Sequence, residues 1–222
     1  MKIEIKSIKK SYGKKQVLKD VNLTINSGKC IGILGGNGCG KSTLLSILAG
    51  IQRPTDGSFL YDGNNLFDYP KERAKLIGYV PQGNALIPEL TAKDNLSLWY
   101  DKNEIKKGIE NGMLKNLGID EFINLSVSKM SGGMKKRLSI ACSIAKNPPV
   151  LLLDEPMAAL DIACKIKISD YITSHKKAGG IALLVTHDIM ELDICDEFYI
   201  LKDGYLTPFD YTGDIKKIVE SL

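Results

Sequence analysis

The sequence predicts an α/β fold: a mostly parallel central sheet, an N-terminal antiparallel β layer and an inserted helical subdomain. Three observations predict it. Short runs that are apolar throughout, at 30–34, 76–80, 150–153 and 181–185, read as strands covered on both faces. Residues 3–8 and 16–26 alternate apolar and polar, with Val21, Leu23 and Ile25 on one face, as half-buried antiparallel strands do. Between 84 and 147 the apolar spacing is helical.

Taken in order, the two alternating strands are joined by a turn at Ser11-Tyr12-Gly13, and the apolar run Cys30–Leu34 follows. A glycine-rich loop then leads into a helix that reaches about Gly50. Arg53–Gly57 is a turn, and Ser58–Tyr61 is a strand ended by Asp62-Gly63. Leu76–Val80 is a buried strand stopped by Pro81 and followed by Gln82.

Thr91-Ala92-Lys93-Asp94 has the form of a capping box. Ile105, Ile109, Met113 and Leu117 share one helical stripe with Gly118 as its C′ residue, although Gly108 and Gly112 weaken that helix by roughly 1 kcal/mol each relative to Ala. Ser131-Gly132-Gly133 opens a further helix with Met134, Leu138, Ala141 and Ala145 on its apolar stripe, ended by Pro148-Pro149. Val150–Leu153 finishes at Asp154-Glu155-Pro156, and a helix starts near Asp161. Ile181–Val185 ends at Thr186-His187-Asp188, Glu197–Leu201 turns at Asp203-Gly204 into a short strand, and a terminal helix starts at Asp214. Residues 1–83 and 148–222 thus form the core with its β layer, and 84–147 the helical subdomain.

Composition narrows the class. At 44% hydrophobic, the 222 residues suffice for a proper core and exclude a disordered chain. The net charge of +4 comes from scattered lysines, a solvated face that does not call for nucleic acid. Five cysteines with no close pairs suggest neither a disulfide frame nor a zinc site, which fits a reducing cytosol. No run of about 18 apolar residues occurs, and the N-terminus carries no signal-peptide core, so a membrane role has to come through a partner. Trp99 is expected in local core and His175 on a solvated helix face.

The most informative stretch is Gly35-Gly36-Asn37-Gly38-Cys39-Gly40-Lys41-Ser42-Thr43, the pattern G-x-x-x-x-G-K-[ST] with a strand before and a helix after. Its glycines turn successive N–H groups inward as an anion nest, and the helix N-terminus adds partial positive charge. Lys41 is placed to reach the β- and γ-phosphates, and the Ser42 hydroxyl to ligate Mg²⁺. The chain is therefore expected to bind a nucleoside triphosphate on a P-loop NTPase core. Cys39, inside the loop, reads as a small residue fitting a tight bend.

Other polar groups follow the apolar strands: Gln82 after Val80, Asp154 and Glu155 after Leu153, and His187 just beyond Val185. In an open parallel sheet that edge is where ligands bind. Asp154 suits the carboxylate that holds Mg²⁺, Glu155 the group that polarises the attacking water, and His187 a γ-phosphate contact.

With these pieces together the chain resembles the ATP-binding subunit, or nucleotide-binding domain, of an ABC transporter across essentially its whole length. The matching segments are residues 35–43 (Walker A), Gln82 (Q-loop), Met130-Ser131-Gly132-Gly133-Met134 (signature), Leu151-Leu152-Leu153-Asp154-Glu155-Pro156 (Walker B), Ala159-Leu160-Asp161 (D-loop) and His187 (switch histidine). The resemblance implies that two such subunits, alike or different, close head to tail over two ATP molecules. Each nucleotide then meets one copy's phosphate loop and the other's Ser131, Gly132, Gly133 and Asp161. It further implies that Tyr12 stacks on adenine with Val17 packing nearby, that Gln82 joins Ser42 and Asp154 at Mg²⁺, and that the helical insert and Gln82 region dock a membrane-spanning subunit at the cytoplasmic face of the cell membrane. Two departures stand out: Met134 where the signature commonly has glutamine, and Ala158 where the D-loop commonly has serine. Neither touches Lys41, Asp154, Glu155 or His187, so a competent ATPase is expected.

Two other readings compete, one within the same family and one from a different class. A soluble relative acting on nucleic acid or the ribosome predicts salt-sensitive nucleic-acid binding. A P-loop small-molecule kinase needs no signature, so turnover in that case survives Ser131→Arg.

Overall fold

The computed structural model describes residues 1–222 except 84, 146, 159, 187, 188, 212 and 214–222. The expected terminal helix from Asp214 therefore lies outside the described residues. The chain begins with a long hairpin: β1 (Lys2–Tyr12) pairs antiparallel with β2 (Lys15–Asn26), Tyr12 opposite Lys15. Tyr12 is thus the last residue of a strand, not part of the turn, because Gly13 at φ 57° supplies the reversal. β4 (Asp56–Tyr61) flanks β1 antiparallel, and β5 (Asn64–Asn65) flanks β4.

The all-apolar runs become β3 (Cys30–Leu34), β6 (Ile77–Val80), β7 (Val150–Asp154) and β8 (Ile181–Val185), paired parallel in the order β3-β8-β7-β6. β9 (Glu197–Lys202) adds parallel to β3, and β10 (Tyr205–Phe209) returns antiparallel to β9. A single parallel register, Tyr205 opposite Asp20, joins β10 to β2. The layer and the central sheet are consequently one sheet of ten strands among the described residues, ordered β5-β4-β1-β2-β10-β9-β3-β8-β7-β6.

Period-two alternation sends the buried strands' side chains to two separate cores. Ile31, Ile33, Leu152, Leu183 and Val185 face α1 (Lys41–Ala49) and the apolar face of the hairpin, including Ile3, Ile5 and Val21. Leu151, Leu153, Ala182 and Leu184 face the helical side, with Leu96, Leu114, Leu138 and Ile168.

Helix α2 (Pro70–Leu76), not anticipated, starts on Pro70 and carries no buried residue, so no apolar period marks it. The Thr91 capping box is present at α3 (Ala92–Leu96): Asp94 N–H donates to Thr91 Oγ1 at 3.1 Å, and Asp94 accepts in return. The stripe from Ile105 to Leu117 is not one helix. It divides into α4 (Lys102–Asn111) and α5 (Met113–Asn116) at extended Gly112, and Gly108 leaves the space that Leu114 fills. Gly118, at φ 64°, ends the segment as expected.

α6 (Gly132–Ser143) is buried over much more than one stripe, from Lys136 through Cys142. α7 (Ile162–Lys177) and the short α8 (Ile189–Leu192) complete the described helices. None of them is long and apolar enough to cross a membrane. His175 is not a solvated residue: it packs over Gly180, its Nε2 is buried, and burial lowers its pKa. Trp99 is 54% exposed, outside the core assigned to it, because α3 ends at Leu96 and the turn that follows aims the indole outward.

Candidate nucleotide site

The parallel strands deliver their C-terminal ends to one edge, and those of the expected polar groups that lie among the described residues gather there. β3 runs into the phosphate loop, where Gly35, Gly38 and Gly40 sit at φ 158°, 77° and 114°. The last two are left-handed positions that favour glycine. A Cβ on Gly35 would meet the Leu201 carbonyl at 2.6 Å and the Cys39 thiol at 2.7 Å, so Cys39 fills the bend as a small residue. A Cβ on Gly40 would meet Val17 at 2.8 Å, which places Val17 against the loop's last glycine. Gly36 is half-buried, Asn37 and Gly38 are exposed, and Thr43 lies in the first turn of α1.

Lys41 is 7% exposed, and its Nζ donates to the carbonyls of Gly35 at 2.6 Å and Gly36 at 3.0 Å. The ammonium thus braces the loop around the space a phosphate would enter. Beside it the Ser42 hydroxyl lies close enough to the Asp154 carboxylate to favour its ionised form. Asp154, at 2% exposure, ends β7 with its pKa raised, first by burial, then partly offset by Ser42. A buried carboxylate with a hydroxyl beside it offers oxygen donors, the kind a hard divalent cation takes.

Glu155 follows with a left-handed backbone at φ 48°, its N–H donating to Val185 O at 2.9 Å. At β6's exit, Gln82 Nε2 donates to Glu155 Oε2 at 2.8 Å. Three strand ends therefore converge: loop, Gln82 and the Asp154-Glu155 pair. His187 and Ala159 lie outside the described residues. Tyr12 is half-exposed at the hairpin tip, its hydroxyl bonded to Gln52 and Lys10 Nζ 4.9 Å above its ring.

The second amide-rich helix start stands apart from the loop. Ser131 caps α6, accepting Met134 N–H on Oγ at 3.2 Å, with Gly132 exposed and Gly133 buried. Asp161 caps α7 by accepting Cys164 N–H at 2.9 Å, which with the Cys164 thiol holds its carboxyl below the usual range. A Cβ on Gly133 would meet Cys164 Sγ at 2.7 Å and Asp161 Oδ2 at 3.6 Å, so the two caps are neighbours.

Sequence reasoning missed two groups here. Glu191 on α8, 1% exposed, accepts Met157 N–H at 2.7 Å just beyond Glu155. Lys136 on α6 donates to the carbonyls of Pro81 and Gln82. Only burial distinguishes them from the many surface charges of this chain, and burial is a tertiary property.

Residues 18–158 match the ABC transporter family. The chain is 35% identical over 231 residues to a spermidine/putrescine import ATP-binding protein PotA of Spiroplasma citri, covering 99% of this chain and 64% of that protein. It is 36% identical over 210 residues to a probable sulfate/thiosulfate import ATP-binding protein CysA of Chlorella vulgaris, covering 92% of this chain and 89% of that one. Among solved structures it is similar to a dimeric ATP-binding cassette in a post-hydrolysis state bound to ADP and Pi, with a TM-score of 0.81, 33% identity and coverage of 92% of this chain and 96% of that one. Fold, motif order and these likenesses agree, and the chain belongs to the ABC transporter family as one of its ATP-binding cassettes.

Proposed function

We propose that this chain is the ATP-hydrolysing subunit of a transporter, working at the cytoplasmic face of the cell membrane with a membrane-spanning partner and a second ATP-binding subunit. The observation that carries the reading is the convergence of three strand ends: the lysine-braced phosphate loop, Asp154 with Ser42 near it, and Glu155 joined to Gln82 by a 2.8 Å bond. In this reading residues 84–147 act as the helical subdomain on a core made of 1–83 and 148–222.

The roles follow from the groups. Loop N–H groups and Lys41 take the β- and γ-phosphates, leaving the carbonyls of Gly35 and Gly36. Ser42, Asp154 and Gln82 would hold Mg²⁺, which supplies charge neutralisation to the phosphate oxygens when bound. Glu155 orients and polarises the attacking water, a task that requires its carboxylate to leave the Gln82 amide. His187 contacts the γ-phosphate. Tyr12 stacks on adenine, its ring steadied by Gln52 and Lys10, with Val17 beside it. Ser131, Gly132 and Gly133 present free N–H groups at a helix start, and with Asp161 they face the other subunit's nucleotide.

The membrane-spanning partner docks along a groove of about 340 Å³ lined by Ile51, Tyr79, Trp99, Cys142 and Pro148. Its mouth carries exposed Trp99 and Ile51, the latter 66% exposed, an apolar pair suited to a partner helix. The test is Glu155→Gln. The variant is expected to bind ATP, lose turnover and elute as a dimer on a sizing column when ATP is present. Undiminished hydrolysis removes Glu155 from the mechanism. Unchanged turnover in Ser131→Arg would favour the kinase reading instead.

A further inference from the structure

Lys136 sits on a helix whose neighbours are buried, and it is itself only 5% exposed. A buried ammonium is costly unless its protons find acceptors. Here Nζ donates to two successive carbonyls, Pro81 at 2.9 Å and Gln82 at 3.1 Å. Those carbonyls belong to the segment that leaves β6, and the same Gln82 places its amide 2.8 Å from Glu155.

The helix grips this strand end elsewhere too, since Ser143 Oγ donates to Tyr79 O at 2.8 Å. α6 is in turn anchored on an adjacent face by Arg137, which donates to Leu117 O at 2.8 Å and lies over the Phe122 ring at 5.0 Å. The helix is therefore a fixed frame, and Lys136 joins that frame to the segment beyond the strand. Burial pulls the lysine's pKa down, while Asp154, Glu191 and Glu155 draw it back up, so the ammonium also faces the acidic side of the site.

We propose that Lys136 is a positioning residue: by holding the Pro81 and Gln82 carbonyls to the helix that begins at Ser131-Gly132-Gly133, it sets the reach of the Gln82 amide to Glu155. The inference rests on the proposed roles of Gln82 and Glu155 in hydrolysis. It makes the register of α6 against β6 a determinant of turnover, so that a shift of the signature helix moves Gln82 without touching nucleotide.

The experiment is a double-mutant cycle on steady-state ATP hydrolysis with Lys136→Met, Gln82→Ala and the pair. Lys136→Met is expected to lower kcat about tenfold, the scale of one charged hydrogen-bond donor, with KM changed less than about twofold. In the Gln82→Ala background it is expected to change nothing further. Hydrogen exchange in the nucleotide-free protein is expected to quicken across residues 77–83.

An equal loss of kcat with and without Gln82 overturns the proposal, as does an unchanged kcat. Where Lys136→Met fails to fold, Lys136→Gln, which keeps one donor group, decides in the same way: a fall of about threefold that vanishes with Gln82→Ala supports it, and no fall or an equal fall overturns it. Absence of hydrolysis in the unmodified chain defeats the functional reading instead, and the exchange comparison still reports on Lys136.

Discussion

Asp154 shows how burial sets up a single side chain for the cation role proposed for it. It is 2% exposed at the end of a fully buried strand, and burial raises its pKa above the ordinary carboxylate range. A raised folded-state pKa means that the folded chain holds the proton more tightly than the unfolded chain. The ionised carboxylate therefore costs stability above that pKa, and the cost disappears as pH falls through it. Asp154→Asn is expected to raise the Tm of the nucleotide-free protein at pH 8 by about 2–4 °C for each kcal/mol relieved. The gain should shrink as acidic pH is approached, while Mg²⁺-dependent ATP binding is lost. Thermal melts across pH check this, and a Tm lowered at pH 8 would contradict it. At the same scale the residue types around Lys41 were legible, because backbone turns need glycine and phosphates need a cation. That Lys41 would brace two carbonyls of its own loop was not legible, since it depends on a side-chain path through the folded loop.

On the signature helix a structural glycine stands next to one proposed for recognition. Gly132 is exposed with open space where a Cβ would go, whereas a Cβ on Gly133 would press on Cys164 Sγ, in a residue only 7% exposed. Gly133→Ala is expected to cost about 1–3 kcal/mol by overpacking. Gly132→Ala should leave Tm essentially unchanged, yet slow turnover, because its methyl stands where the other subunit's nucleotide would approach. Melting curves and ATPase rates of the two variants distinguish these outcomes; equal destabilisation would refute the distinction. Elements with strong local codes were legible here, such as the Thr91 capping box. The division between α4 and α5 was not, because the glycine weakness was visible but not that Leu114 would take the space beside Gly108. α2 escaped notice because it buries nothing, leaving no apolar period to read.

At the scale of the molecule, two cores share one sheet, and the groove carrying Trp99 lies where the helical segment meets strand β6. Trp99→Ala is expected to leave the fold and the isolated chain's hydrolysis intact, since the indole is 54% exposed, and to weaken docking of the membrane-spanning partner. Trp99 emission should resemble a solvated indole and shift blue when that partner, reconstituted in lipid, is added. Emission already blue in the isolated chain would show the ring to be buried. The sheet itself carries the lesson of this scale: hairpin and central strands were each readable by period, but their union through one register between Tyr205 and Asp20 was not.

By itself the sequence determined the phosphate loop, the buried strands with their polar ends, the half-buried hairpin and the family. Each of these is written in local pattern: glycine spacing, the two-residue period of strands, charge just past an apolar run. Tertiary structure alone decided that Gln82 meets Glu155, that Lys136 is buried on the Pro81 and Gln82 carbonyls, that His175 is half-buried and Trp99 exposed, and that ten strands among the described residues form one sheet. Those outcomes join residues far apart in the chain, and a contact whose partners are remote leaves no period in either neighbourhood.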